Sequence, residues 1–185
     1  KQRIAALYYK NSAIHSLLIC GVAGIAHRST QDLLELRSLL QFEFFFSEKE
    51  AFLHGVLNVP ESVMTDLYAH MFDDTLENIE LGIKALMDMP NLSLDAKEWK
   101  ARFMKFGKAA ILESSVRRLE AVNTQSYAAF VEMARNRKWL IPGTKDGSFK
   151  AAPREDLAKD LDRVLKFREG LVPWESLRGK YLQEI

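Results

Sequence analysis

At 185 residues the chain is long enough for one domain or two small ones, with a sizeable buried core. A composition 48% hydrophobic and 28% charged excludes a disordered chain, and 26 Lys and Arg against 25 Asp and Glu leave no global field for nucleic acid or anionic lipid. The single cysteine, Cys20, excludes a disulfide framework and a thiolate metal site, and fits an intracellular setting.

The chain opens on Lys1 rather than Met, and helical periodicity is already running at Ile4, so it reads as a segment of a longer protein. Asn11 and His15 stand four residues apart, hence on one helical face, amid Leu7, Tyr8, Ile14, Leu17 and Leu18. Polar groups in such a setting are costly to bury without a hydrogen-bond partner. Tyr8, Asn11 and His15 are therefore the candidates for a contact with another domain. From Asn11 to Ala26 there is no Lys, Arg, Asp or Glu. The run falls short of the about 20 residues that cross hydrocarbon, and it holds His15, two serines and two glycines. A buried helix is expected there, not a membrane span.

Leu33, Leu36, Leu40 and Phe44 carry the helical spacing onward, behind a capping signal at Ser29-x-x-Asp32. Ser47-x-x-Glu50 opens a further helix through Phe52, Leu53 and Val56. Pro60 resets the chain; Val63, Leu67 and Met71, then Leu76, Ile79, Ile83 and Leu86, mark one or two more. Met87-Asp88-Met89-Pro90-Asn91 is the clearest punctuation, because a residue before proline leaves the helical region. It separates a helical subdomain over 1–90 from a second over 91–185. In the second, Trp99, Phe103, Phe106, Ala110 and Ile111 suit one amphipathic helix. Asn123 and Thr124 cap another that carries Tyr127, Phe130, Val131 and Ala134 inward. Trp139 to Ile141 predicts a short strand, Pro142 to Gly147 a turn, and Ser148 to Ala151 a return strand. A last helix uses Leu157, Leu161, Val164 and Leu165. The fold class that follows is all-α, mainly a helical bundle, with a small winged-helix-like hairpin in the second half.

Chemistry-bearing motifs are few. The four histidines show no H-E-x-x-H spacing, and no phosphate-cradling glycine loop or G-x-S-x-G elbow occurs, so neither metal nor cofactor is expected. Asp73, Asp74 and Glu77 could attract a divalent cation, but an acidic helix start explains them. Val116-Arg117-Arg118 and Arg135-Asn136-Arg137-Lys138 are interleaved with Glu113, Glu120 and Glu132, which reads as a solvated charged face.

His27-Arg28-Ser29-Thr30-Gln31-Asp32 spells H-x-x-x-x-D, and resembles the catalytic motif of glycerolipid acyltransferases; Phe167-Arg168-Glu169-Gly170 echoes their F-x-E-G. In that family the histidine takes the substrate hydroxyl's proton and the aspartate orients the imidazole. The two motifs stand too far apart here for a compact catalytic domain, and residues 1–138 offer no convincing strand to present them. Helix capping explains Ser29 to Asp32, and a helix ending at glycine explains Glu169-Gly170. No catalytic residue is expected, with His27 and Asp32 the nearest rivals.

Tyr8-Tyr9-Lys10-Asn11-Ser12-Ala13-Ile14-His15 resembles the Y-[RK]-N-x-x-x-H segment that follows the catalytic domain in bacterial membrane-associated glycerol-3-phosphate acyltransferases. LLQFEFFF at Leu39 to Phe46, and Phe103 to Leu140 including VRRLEAVNTQSYAAFVEMARNRKWL, are similar to later blocks of the same region. The resemblance spans most of residues 4–165, except about 59–98. It implies a C-terminal scaffold that packs on the N-terminal catalytic domain of the same polypeptide. The parent enzyme would pass an acyl group from acyl-CoA or acyl-carrier protein to glycerol 3-phosphate, forming lysophosphatidate for phospholipid biosynthesis. It also implies peripheral contact with the cytoplasmic face of the inner membrane through the parent, and no nucleic acid. The alternatives are a winged-helix nucleic-acid-binding module around 103–151 and a helical protein-interaction domain of other ancestry.

Overall fold

The computed structural model describes residues 17–28, 33–40, 48–171, 173 and 176. They are mostly helical, with a single two-stranded hairpin among them. This is the all-α fold with a small winged-helix-like hairpin that periodicity predicts. By packing, the chain divides into one unit of residues 1–73 with 166–185 and another of residues 74–165.

The first unit contains helix α1 over 17–26, α2 (Leu33–Leu39), α3 (Lys49–Leu57), α4 (Val63–Ala69) and a 3₁₀ turn, His70–Phe72. Gly21 and Gly24 let α1 lie against α4: a Cβ on Gly21 would sit 2.7 Å from the Tyr68 carbonyl oxygen, and one on Gly24 would collide with that of Thr65. Val22, Ala23 and Ile25 are fully buried, so the described part of the uncharged run packs in protein. Leu36, Leu39, Phe52, Val56, Ala69 and Phe72 complete this core. Helix α3 starts at Lys49 behind Glu48, which makes no side-chain cap bond. Helix α4 has a full capping box: the Thr65 amide donates to Ser62 Oγ at 3.2 Å, and the Ser62 amide to Thr65 Oγ1 at 2.9 Å.

The second unit is built on α5 (Asp73–Asp88, from residue 74), α6 (Ala96–Leu112), a 3₁₀ turn (Leu119–Ala121), α7 (Thr124–Asn136), β1 (Leu140–Pro142), β2 (Phe149–Ala151) and α8 (Arg154–Glu169) as far as residue 165. Asp95 and Glu98 form a capping box on α6, and Asn123 Oδ1 accepts the amides of Gln125 and Ser126 to open α7. The strands pair antiparallel, Leu140 opposite Ala151 and Pro142 opposite Phe149. Leu94 bridges Phe149 from the other side, so β2 lies between β1 and the segment leading into α6.

An aromatic column holds it together. Trp99 stacks on Phe103 with ring centroids 5.5 Å apart, Phe103 meets Phe130 edge-on at 5.0 Å, and Phe130 leans on Trp139 at 6.0 Å. Both indoles are satisfied: Trp99 Nε1 donates to the Phe149 carbonyl at 2.8 Å and Trp139 Nε1 to Asp160 at 2.6 Å. Gly82 faces Phe130 so closely that a Cβ would run into the ring.

Candidate functional site

Tyr8, Asn11, His15 and Asp32 lie outside the described residues. His27 and Arg28, just past α1, are described, and both turn to the segment that leads into α4. His27 Nε2 sits 3.1 Å from the Val59 carbonyl oxygen. A carbonyl can only accept, so that nitrogen carries the proton. Arg28 forks onto Asp66, with Nε donating to Oδ1 at 3.1 Å and Nη2 to Oδ2, while Nη1 reaches Glu61 at 2.8 Å. The hydrogen bond to Asp66 is the main reason the guanidinium pKa is held above its ordinary value. The first two residues of the H-x-x-x-x-D string thus brace the corner between α1 and α4.

Phe167 is buried at the end of α8, and Arg168 donates to Asp73 Oδ1 at 3.4 Å. The Gly170 amide returns to the Lys166 carbonyl and that of Leu171 to Arg168. Gly170 is not among the residues of positive φ, so the helix ends in a tightened turn and not through a left-handed glycine.

Glu77 also has a structural employment. Its buried carboxylate accepts the amides of Arg117 at 2.9 Å and Arg118 at 2.6 Å, and neighbouring Asn78 donates to the Ala121 carbonyl at 2.6 Å. These bonds tie α5 to the connection between α6 and α7. Tyr127 is buried beside them. Desolvation first, and then the Glu77 charge, push its phenol up to about 12.

The charge on α6 has no such employment. The helix carries Lys97, Lys100, Arg102, Lys105 and Lys108 against Glu98, and Glu98 is used in the N-terminal capping box. Trp99, Phe103, Gly107 and Ala110 point inward, which leaves Lys97, Ala101, Lys105, Lys108 and Leu112 along the exposed line. Among the described residues these cations make no ion pair, whereas Arg135 meets Glu132, Lys159 meets Asp156 and Arg163 meets Asp160. Leu112 at the end of that line is 87% exposed, and Leu119 in the following turn 64%. The apolar positions of α6 mark the helix in the sequence without marking this stripe, whose only signal is the spacing of Lys97, Lys105 and Lys108.

No family model, curated protein or solved structure matches the chain.

Proposed function

We propose that this chain is the helical C-terminal scaffold of a glycerol-3-phosphate acyltransferase and packs on that enzyme's catalytic domain through Tyr8, Asn11 and His15. The observation that carries the non-catalytic part is the corner at His27 and Arg28. Their side chains engage Val59, Glu61 and Asp66, where they connect helices. The helical fold and the resemblance of Tyr8 to His15 support the parent assignment. Acyl transfer would then belong to the catalytic domain, on the cytoplasmic face of the inner membrane.

The test begins with the purified chain, glycerol 3-phosphate and acyl-CoA: no lysophosphatidate is expected. Turnover abolished by His27→Ala would overturn the reading and make His27 the general base. In the full polypeptide encoded by the gene, His15→Ala should cost stability or activity, since an orphaned buried partner costs about 1–3 kcal/mol. In the chain alone it should leave the melting temperature nearly unchanged.

A winged-helix nucleic-acid module is the second reading, favoured by the Leu94–β2–β1 arrangement. Its recognition helix would be α7, whose outward residues are Gln125, Ala128, Ala129 and Glu132, with Arg135 already paired to Glu132. That face lacks the net positive charge phosphate contact requires.

A further inference from the structure

The cationic line of α6 is a surface without an internal partner. Each exposed lysine on a long stem can reach a different phosphate, and nothing in the arrangement imposes a fixed geometry on the acceptor. A duplex would also gain little from Leu112, which stands at 87% exposure within the same line as Lys97, Lys105 and Lys108. A leucine flanked by lysines on a convex helical face matches a lipid boundary, where acyl chains lie under anionic headgroups. Lysine stems cover apolar surface while their ammonium groups stay in the headgroup layer.

We infer that α6 is a membrane-docking face: Lys97, Lys105 and Lys108 engage the headgroups of an anionic bilayer, and Leu112 enters the boundary beneath them. Arg117 and Leu119, exposed in the connection after α6, extend the same pairing of cation and leucine. That connection is held by Glu77 through the backbone amides of Arg117 and Arg118, which leaves the exposed Arg117 guanidinium outside those two bonds. Among the described residues no helix is long and apolar enough to cross a membrane, so the contact is made from outside. The inference deepens the membrane-associated reading above, by naming the face and the lipid class.

The experiment is flotation of the 185-residue chain with phosphatidylcholine vesicles and with vesicles containing about 30% phosphatidylglycerol, at about 0.05 M and 0.5 M salt. Binding is expected to the anionic vesicles at low salt and to be lost at high salt. Replacing Lys97, Lys105 and Lys108 together by Gln should weaken it about a hundredfold, each lysine near an anionic surface contributing about fivefold. Leu112→Gln should weaken it about tenfold at low salt. Lys159→Gln, on the ion-paired face of α8, should leave it unchanged. All five positions are exposed, and unchanged helical circular dichroism will separate loss of docking from loss of fold. Equal binding to neutral vesicles, no binding to either, or full binding by the triple variant would overturn the inference. So would retention on duplex DNA in place of vesicles, which would assign the stripe to nucleic acid. Flotation requires no acyl transfer, so its failure is distinct from failure of the acyltransferase reading.

Discussion

Arg28 grips Asp66 by two parallel hydrogen bonds, although 38 residues separate them, and this fork fixes the corner between α1 and α4. The two partners are unequal. Asp66 is buried, while Arg28 keeps about a quarter of its side chain in water (27%). Arg28→Ala leaves a buried carboxylate without its cation and should cost about 2–4 kcal/mol. Asp66→Ala leaves a guanidinium that water can reach, and should cost about 1 kcal/mol. Glu61→Ala, at a pair on the surface, should cost less than about 0.5 kcal/mol. Urea denaturation of the three variants checks the order. Because the Arg28 pKa is raised from an already strongly basic value, its contribution is present in full at neutral pH and does not vary there.

What was legible in the sequence was local. Asn123 caps α7 where its residue type predicts, and Tyr127, Phe130, Val131 and Ala134 are buried on the face their spacing defines. The hairpin forms around the Pro142–Gly147 turn, where Gly147 takes a φ of +70°. Contacts between distant segments left little trace. Leu94 is an unremarked residue before a helix until Phe149, 55 positions on, pairs with it. Glu77 reads as part of an acidic helix start until the Arg117 and Arg118 amides supply its partners. Net charge hid the α6 stripe for a different reason: a total of +1 averages a cationic helix with acidic segments elsewhere. Tyr8, Asn11 and His15 lie outside the described residues, so the docking face proposed for them rests on the sequence.

Gly82 separates helix propensity from packing. In the middle of α5 an alanine should gain about 1 kcal/mol from propensity. Its Cβ, however, would run into the Phe130 ring, itself wedged between Phe103 and Trp139. Overpacking of this kind costs about 1–3 kcal/mol or more, so steric cost should win. Gly82→Ala should therefore lower the melting temperature, and pairing it with Phe130→Leu should recover part of the loss. A stabilised single variant would show that the aromatic column has room to shift.

Ser114 offers the opposite case. It follows the last turn of α6 with a φ of 55°, its amide donating to the Ile111 carbonyl and the next amide, of Ser115, to Ala110. That is the pattern in which glycine is favoured, because a side chain in the left-handed region costs about 1 kcal/mol. Ser114 is exposed, so little packing is lost on removing its side chain. Ser114→Gly should stabilise the protein by about 0.5–1 kcal/mol in thermal or urea unfolding, with Ser114→Val destabilising.

The Tyr127 hydroxyl is buried without a hydrogen-bond partner, close against Gly107 and within the field of Glu77. A donor left unsatisfied in the core lowers stability relative to an apolar ring of the same shape, so Tyr127→Phe should be neutral or stabilising by about 1 kcal/mol. The ring stacking on Phe103 survives that change. The pH dependence fixes the cause. The phenol ionises near 10 when unfolded and at about 12 in the folded protein, so between those values the folded state holds the proton that the unfolded state has lost. Stability from this group is therefore complete below pH 10 and declines as pH rises toward 12, by about 1–3 kcal/mol. Chemical denaturation across that window should show a steeper decline for the native protein than for Tyr127→Phe. Parallel curves would mean that the hydroxyl reaches water in solution, and the stabilisation by phenylalanine should then vanish as well.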